Sequence, residues 1–316
     1  MDSFFAGSHP SVKRFARSLN TRDDFLKKVA DVTLKHGIAN VSQSALTFDV
    51  QTTKAEDIAS CLKKFGVVCL NNAVDSASFD VLNHKVDKLF SDIYASVKGA
   101  GDNDSGDLGE LAWQRNLSLA RTFNELLDYS KPIVNIRGNA GSDTGMMDMF
   151  NIQSITQLKA DDGFRQLYEL FTSGLAYQVI RSISSFTFSN VQMYENESVT
   201  DTRGFHIDNI FGTYKVFVYL TDVTSKDEGP YCYIPGSHRL PYLHRLELRQ
   251  TEKSGIRPRD MLSSEYLPYI RFIAPRGTII ISNQTGIHRG YPQVDGASRR
   301  VIVANYSDHI KMGRRY

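Results

Sequence analysis

The stretch GFHIDN, residues 204–209, is the part of the chain around which the rest is organised. His206 and Asp208 are two positions apart, so in an extended segment both side chains point to the same face. An imidazole and a carboxylate on one face make up two thirds of a two-histidine, one-carboxylate set. Such a set holds non-haem Fe(II) and leaves coordination positions open. We expect the third ligand far along the chain and close in space.

Two histidines are candidates for that third position. His288 lies in GIHRGYP, residues 286–292, and His238 closes the turn sequence IPGSH, residues 234–238. Arg299 follows His288 further along and opens an apolar run that is typical of a strand. The spacing of the residues alone leaves both histidines open.

The order of these elements resembles the phytanoyl-CoA dioxygenase family. The shared order is a His-x-Asp motif, then Ile-Pro-Gly-Ser-His, then a distal histidine, then an arginine, and it spans residues 190–306. A weaker similarity covers residues 53–95. Members of this family are Fe(II)- and 2-oxoglutarate-dependent oxygenases. The resemblance therefore implies a mainly β fold with flanking α, a double-stranded β-helix (a jelly-roll, cupin-like barrel) buttressed by N-terminal helices.

The resemblance also implies the metal ligands and the cosubstrates. His206, Asp208 and His288 would bind Fe(II), with 2-oxoglutarate and O₂ in the remaining positions, and ascorbate is expected to support activity in vitro. The histidine of the Ile-Pro-Gly-Ser-His turn is not a ligand in that family, so His238 is expected to be a structural residue.

A positive charge must hold the far carboxylate of 2-oxoglutarate. A guanidinium does this with two parallel hydrogen bonds, which an ammonium cannot match. Arg299 lies at the family's spacing after the distal histidine and is assigned this role. Arg300 is the alternative, because neighbours on a strand face opposite ways and a slip of one residue exchanges them.

Further residues are expected around the cosubstrate and the substrate. Gln192 either hydrogen-bonds 2-oxoglutarate or packs in the barrel wall, and Lys215 is either a second cation at the cosubstrate or a solvated surface lysine. Phe217 lies near the place where the family has an aromatic residue lining the cosubstrate pocket, and Tyr194 is expected on the substrate side.

Methionines follow a glycine-rich turn in residues 137–150. Met146, Met147 and Met149 either line an apolar substrate pocket or pack in the core. The segments 98–109, 137–150 and 239–267 are expected to frame the pocket entrance.

The carboxylate at position 208 bears on the type of reaction. Halogenating relatives have a small residue there, so Asp208 favours hydroxylation, or desaturation or ring closure, of a small-molecule metabolite with release of succinate and CO₂. The alternative is a cupin-like barrel that binds a metal or ligand without catalysis or without 2-oxoglutarate.

Composition excludes several other classes of protein. The 316 residues are 41% apolar and 23% charged with a formal net charge of +2, which predicts a sizeable core and no nucleic-acid partner. No apolar run is long enough for a membrane helix, and the first residues do not resemble a secretory signal. The three cysteines form no C-x-x-C pair and indicate reduced thiols and a cytoplasmic location.

Periodicity predicts the organisation of a single domain, 1–316. Its helical N-terminal part is residues 1–188, its barrel core is 189–306 and its tail is 307–316. Helical patterns cover residues 21–37, 54–65, 79–97, 110–127 and 162–185, and residues 1–20 are expected to be a mobile arm or a lid. From residue 189 the period changes to two, as in strands.

Overall fold

Two β-sheets of unequal size frame the protein in the computed structural model. Within the described part of the chain, the larger sheet has nine strands and the smaller has three. The structure describes residues 3–36 without 6, 41–74, 79–91 without 85, 89 and 90, 119–122, 133–136, 143–150 without 144, 162–252 without 209 and 211, and 259–307.

Strands of the two sheets are interspersed along the chain. In chain order they are β1 (Thr47–Asp49), β2 (Val67–Asn71), β3 (Leu119–Thr122), β4 (Ile133–Ile136), β5 (Met146–Phe150), β6 (Thr187–Glu197), β7 (Tyr214–Tyr219), β8 (Tyr231–Tyr233), β9 (Ile270–Phe272), β10 (Ile279–Asn283), β11 (His288–Gly290) and β12 (Ser298–Ser307). The larger sheet has the order β1-β2-β10-β7-β12-β6-β5-β4-β3, and the smaller has the order β11-β8-β9.

From β6 onward the chain alternates between the two sheets. After β6, the segment at His206 pairs with His288 of β11 in the small sheet through an isolated bridge. β7 returns to the large sheet, β8 and β9 lie in the small sheet, and β10, β11 and β12 continue the alternation. This winding of an antiparallel chain between two facing sheets is a double-stranded β-helix of the jelly-roll kind. The predicted fold class is therefore confirmed.

Alternation along β7 gives the large sheet two different cores. Val216 and Val218 face outward and join a cluster with the helices. Phe217 and Tyr219 face inward and pack with Tyr231 and other residues of the small sheet. The barrel interior is therefore filled with aromatic and branched side chains on one part of its length, and the polar Lys215 shares its inward face.

The described helices are α1 (Pro10–Phe15), α2 (Arg22–His36), α3 (Ala55–Phe65), α4 (Asp162–Thr172), α5 (Leu175–Ile183) and α6 (Pro241–Thr251), and residues 79–84 and 86–88 are also helical. Of these, α3, α4, α5 and the two segments 79–84 and 86–88 pack on the outer face of the large sheet, whereas α1, α2 and α6 pack with one another. Ile58 and Leu62 of α3 and Ile180 of α5 are buried in the same cluster as Val218. Burying a side chain of this size stabilises the folded state by about 1.5–3 kcal/mol. The packing of α3 and α5 therefore stabilises the sheet on which the barrel is built.

The N-terminal residues are packed against the rest of the protein, so the expected mobile arm is wrong. Phe5 of a short 3₁₀ turn and Val12 of α1 are buried against Phe25 of α2 and Leu243 of α6. The hydroxyl of Thr21 accepts a hydrogen bond from the backbone N–H of Asp24, which caps the start of α2.

The long helix predicted over residues 162–185 is in fact two helices. α4 ends at Thr172, and Gly174 precedes α5, with the Gly174 N–H donating to the Glu169 carbonyl at 2.6 Å. A Cβ on Gly174 would lie 2.9 Å from Leu170 Cα, so a side chain does not fit at this break. The turn brings α4 and α5 onto the same core, which one straight helix could not do.

Other expectations are corrected or lie outside the described residues. The predicted helix over residues 110–127 is wrong in its middle, because Leu119–Thr122 form β3 and pair with β4. The segment 98–109 lies outside the described residues. Within 239–267 the structure has α6 and a 3₁₀ helix at Leu262–Tyr266. Nowhere in the described ranges does a helix have the length and apolarity that crossing a membrane requires.

Candidate metal centre

His206, Asp208 and His288 converge at one point of the barrel. Asp208 Oδ1 lies 3.5 Å from His206 Nε2 and 3.7 Å from His288 Nε2. All three potential ligand atoms lie within 4.8 Å of one another, and no other such group of His, Cys, Asp or Glu occurs among the described residues.

Backbone pairing holds the two histidines side by side. The His206 N–H donates to the His288 carbonyl at 3.0 Å, and the His288 N–H donates to the His206 carbonyl at 2.9 Å. Their ring centroids are 4.6 Å apart. The Asp208 N–H donates to the Gln284 carbonyl at 3.1 Å, so the carboxylate is anchored to the chain just before β11.

Each imidazole is oriented by a carbonyl two residues before it. His206 Nδ1 is 2.9 Å from the Gly204 carbonyl oxygen, and His288 Nδ1 is 2.9 Å from the Gly286 carbonyl oxygen. Because a carbonyl oxygen only accepts, Nδ1 carries the proton in both rings and Nε2 presents its lone pair to the centre.

The charge state of the centre suits a cation. Burial lowers the pKa of His206 to about 4, so this imidazole is neutral near pH 7. Burial would raise the pKa of Asp208, but the Lys215 ammonium beside it holds that pKa well below its usual range. Lys215 Nζ lies 2.6 Å from Asp208 Oδ2, which leaves Oδ1 facing the histidines.

The three side chains form part of the wall of a cavity of about 390 Å³. The other expected site residues that line it come from the inward faces of β6, β7 and β12: Gln192, Tyr194, Lys215, Phe217 and Arg299. Of the two alternatives for Lys215, the structure therefore has the inward orientation.

Arg299 is a buried cation without an acidic partner among the described residues. It is 9% exposed, one guanidinium nitrogen donates to the Gly229 carbonyl, and Nε has no hydrogen-bond partner. Burial lowers the pKa of this guanidinium. A buried charge without a counter-charge is costly, so an anion in the cavity would stabilise this arrangement.

Arg300 faces the other side of the sheet. Its guanidinium pairs with Glu195 of β6 and with Asp87 in the helical segment 86–88. The alternation of β12 thus brings Arg299, and not its neighbour, to the cavity.

Gln192 and Tyr194 lie two positions apart on β6 and share its inward face. The Tyr194 hydroxyl donates to Gln192 Oε1. Phe217 packs against Tyr231, with ring centroids 4.5 Å apart. The first contact contributes a polar part of the cavity lining, and the second contributes an aromatic part.

A polar network beneath the centre was not expected from the sequence. The Tyr231 hydroxyl is 2.7 Å from Ser282 Oγ, and Gln284 Nε2 donates to both, at 3.2 and 3.0 Å. Gln284 Oε1 is buried without a partner. The alternation of side chains along β10 could have predicted this network. Ser282 and Gln284 fall on the inward positions, which alternate with the outward Ile281.

Of the three methionines that follow the glycine-rich turn, Met146 lines the cavity, whereas the side chains of Met147 and Met149 lie outside what the structure describes. Two polar lining residues were not expected from the sequence. Asn196 and Arg203 line it too, and Arg203 pairs with Asp260 at 2.8 Å.

His238 is not part of the group formed by His206, Asp208 and His288. Its Nε2 lies 3.1 Å from the Lys63 carbonyl oxygen at the end of α3. His288, which the resemblance favoured, is the histidine that the structure brings to His206 and Asp208.

Comparisons with known proteins found solved structures of similar fold but no similar sequence. No protein-family model matches the chain, and no curated protein sequence matches it. AviO1 from Streptomyces viridochromogenes Tue57 is similar in structure, with 13% identity, coverage of 82% of this chain and 96% of that chain, and a TM-score of 0.49. The non-haem, α-ketoglutarate-dependent carbocyclase SnoK from nogalamycin biosynthesis gives 14% identity, 81% and 86% coverage and a TM-score of 0.49.

HygX from Streptomyces hygroscopicus, with nickel and 2-oxoglutarate bound, gives 12% identity, 78% and 84% coverage and a TM-score of 0.48. At these values the similarity does not assign a function, which depends on the geometry of the site. Fold and site together define a class of protein: a double-stranded β-helix with a two-histidine, one-carboxylate group in its cavity wall.

Proposed function

We propose that the chain is an Fe(II)- and 2-oxoglutarate-dependent dioxygenase that oxidises a small-molecule metabolite. One observation carries the proposal: a single cavity contains both the His-Asp-His group and the buried guanidinium of Arg299. A metal accounts for the first feature, and an anion accounts for the second. 2-Oxoglutarate satisfies both, because its keto-acid end binds a metal and its far carboxylate binds an arginine.

The donor set fits a ferrous ion. His206 Nε2, Asp208 Oδ1 and His288 Nε2 would hold it, since two imidazoles and one carboxylate with open positions are the ligands of non-haem Fe(II) oxygenases. Metal bonds of about 2.0–2.2 Å to nitrogen and oxygen place ligand atoms roughly 3 to 4 Å apart. The separations of 3.5 and 3.7 Å from Asp208 Oδ1 fall in that range.

The chain's own residues would bind and orient the cosubstrate. Arg299 supplies the positive charge for the far carboxylate, with its unpartnered Nε available as a donor. Lys215 holds the second oxygen of Asp208 and keeps that carboxylate ionised. Once bound with 2-oxoglutarate and O₂, ferrous iron supplies an oxidative decarboxylation that yields succinate, CO₂ and an oxidised substrate.

The finer assignments belong to the same proposal. Asp208 occupies the position that is small in halogenating enzymes, which supports hydroxylation, desaturation or ring closure. We assign the chain to the phytanoyl-CoA dioxygenase-like group on the order of its motifs, and we treat residues 1–316 as one domain. Reduced thiols at Cys61, Cys69 and Cys232 support a cytoplasmic location.

The alternative is a cupin-like barrel that binds a metal or ligand without using 2-oxoglutarate. This alternative does not explain why Arg299 is buried with an unpartnered Nε, whereas the oxygenase proposal does. Succinate release separates the two proposals, because only the oxygenase forms succinate from 2-oxoglutarate.

The test has two measurements on the full chain. Iron content is determined after anaerobic loading with Fe(II), and succinate release is then followed with 2-oxoglutarate, ascorbate and O₂, with and without candidate substrates. We expect one iron per chain and succinate release that rises with a true substrate. His206→Ala should lose both, whereas His36→Ala, an exposed histidine at the end of α2, should retain both.

Each negative result has a distinct meaning. Iron binding without succinate under any condition supports the cupin-like alternative. Wild-type iron content in His206→Ala overturns the assignment of the ligands.

A further inference from the structure

The outer face of the small sheet carries two arginines on either side of one buried residue. Arg271 of β9 and Arg289 of β11 are both in register with Cys232 of β8. Side chains in register share a face, and His288, one position away, points to the opposite face and the cavity. The two arginines therefore lie together on the outside of the barrel wall.

Three aromatic rings separate and support these arginines. Arg271 Cζ lies 4.9 Å from the ring centroid of Tyr269 and 4.6 Å from that of Tyr291. Arg289 Cζ lies 5.6 Å from the centroid of Phe205 and 5.9 Å from that of Tyr291. We call Phe205, Tyr269, Arg271, Arg289 and Tyr291 the guanidinium–aromatic patch.

The charge of the patch is not neutralised within the described part of the chain. Arg271 donates to the hydroxyls of Tyr269 and Tyr291 at 2.6 and 3.4 Å. Arg289 donates to Thr202 Oγ1 at 2.7 Å and to the Gly290 carbonyl at 3.2 Å. All of these partners are neutral, whereas the nearby Arg203 has the carboxylate of Asp260 at 2.8 Å.

Two guanidinium groups without a carboxylate form a site prepared for an oxyanion. Stacking on aromatic faces limits the conformations of arginine, so less entropy is lost when it binds a planar or tetrahedral anion. The hydroxyls of Tyr269 and Tyr291 add donors beside Arg271. Several donors around one point suit the three terminal oxygens of a phosphoryl group.

The patch is continuous with the cavity. Tyr291 and Thr202, which contact the two arginines, also line the cavity wall. Arg289 directly follows His288, so the outer patch and the candidate metal centre belong to the same short strand. A ligand bound at both would have its charged group outside the barrel and its reacting part inside.

We propose that the guanidinium–aromatic patch binds a phosphoryl group carried by the substrate of the neighbouring cavity. The identity of the carrier rests on the proposed oxygenase function. Binding of a phosphoryl group to the patch does not, because it needs neither iron nor 2-oxoglutarate.

The test is a titration of the full chain with inorganic phosphate and with phenyl phosphate at constant ionic strength. It is done both without metal and with Fe(II) and saturating 2-oxoglutarate under anaerobic conditions. Heat release gives the Kd for wild type, Arg271→Gln, Arg289→Gln and the double variant. Arg276→Gln is the matched control, because Arg276 is an exposed arginine that pairs with Asp80 elsewhere.

We expect each single substitution in the patch to weaken binding at least tenfold, the double variant to lose it, and Arg276→Gln to match wild type. Unchanged Kd values in the patch variants would overturn the site. Phenyl phosphate binding tighter than inorganic phosphate supports a substrate-borne group. The reverse order overturns that part of the inference and leaves a site for free phosphate.

A second measurement uses the unaltered chain, in case a variant does not fold. Phenylglyoxal modifies accessible arginines, and mass spectrometry identifies the modified positions. Phosphate should protect Arg271 and Arg289 and leave Arg276 reactive, while equal modification with and without phosphate would overturn the proposal. Since these measurements need no turnover, their failure is distinct from a failure to release succinate.

Discussion

His206 and His288 exchange two backbone hydrogen bonds, with N–O distances of 3.0 and 2.9 Å. The pairing of two segments far apart in sequence therefore sets the positions of both imidazoles. The Nδ1 contacts with Gly204 and Gly286 set their orientation. The ligand group is thus built by the barrel itself, in contrast to sites that form only when a metal binds.

The first prediction concerns metal removal. Chelated protein should remain folded and unfold in one cooperative transition, because backbone pairing holds the site without an ion. Fe(II) or Mn(II) should raise the free energy of unfolding by about 2.7 kcal/mol when the free metal is about 100 times its Kd. Thermal unfolding with and without metal measures this, and loss of structure on chelation alone would contradict it.

The second prediction separates two adjacent arginines. Arg299→Gln should raise the KM for 2-oxoglutarate about 10- to 100-fold, since a hydrogen bond to a charged group contributes about 1.5–3 kcal/mol. Arg300→Gln should leave that KM unchanged, because Arg300 pairs with Glu195 and Asp87 on the outer face. Substrate-independent succinate release gives both values.

Melting temperatures of the two arginine variants serve as the control for stability. Arg300→Gln is expected to be the less stable of the two, because it leaves the buried Glu195 without its partner. An equal rise of KM in both variants would show that Arg299 has no special role.

The third prediction concerns Gly66, which ends α3 with a φ of +81°. A Cβ there would lie 2.4 Å from both the Tyr233 hydroxyl oxygen and His238 Nδ1. Gly66→Ala should lower the free energy of unfolding by about 2–4 kcal/mol, from left-handed strain and overpacking together. Denaturant unfolding measures the loss.

Gly296 is the matched control for that substitution. It has a φ of +79°, and no atom lies within 4 Å of its added Cβ. Gly296→Ala should therefore show only the backbone strain, about 1 kcal/mol. Equal losses at the two positions would mean that contact with Tyr233 and His238 has no cost.

The fourth prediction concerns Glu247, a fully buried carboxyl of α6 that accepts hydrogen bonds from the Ser263 N–H and hydroxyl. Burial raises the pKa of Glu247 to about 7. A raised pKa means that the folded state favours the protonated form. The contribution of protonated Glu247 to the free energy of unfolding is therefore fully present below its ordinary pKa near 4.5. It is lost as the pH rises through about 7.

Glu247→Gln should remove this pH dependence, which amounts to at most about 3 kcal/mol. Unfolding measured from pH 4 to pH 8 should show the variant gaining stability relative to wild type as the pH rises. Buried histidines such as His244, with a pKa lowered to about 4, give the opposite slope but are common to both proteins and cancel in the difference. Glu265→Gln, at an exposed position of the neighbouring 3₁₀ helix, should match wild type at every pH.

Patterns within a few residues were predictable because their period is set by the backbone. The spacing of His206 and Asp208 predicted a shared face, and the alternation of β7 and β12 predicted strands with one inward side. The order of motifs indicated a double-stranded β-helix. Local sequence did not predict the break at Gly174, where contact with Leu170 decides the course of the chain.

What the sequence by itself determined is thus the set of candidate groups and the parity of each strand. The tertiary structure decided which candidates meet: His288 instead of His238, Arg299 instead of Arg300, and Gln284 beneath the centre. It also brought Arg271 and Arg289 to one patch. The physical reason is register, because contacts between distant strands depend on how the barrel closes, and a shift of one residue would turn every side chain to the other face.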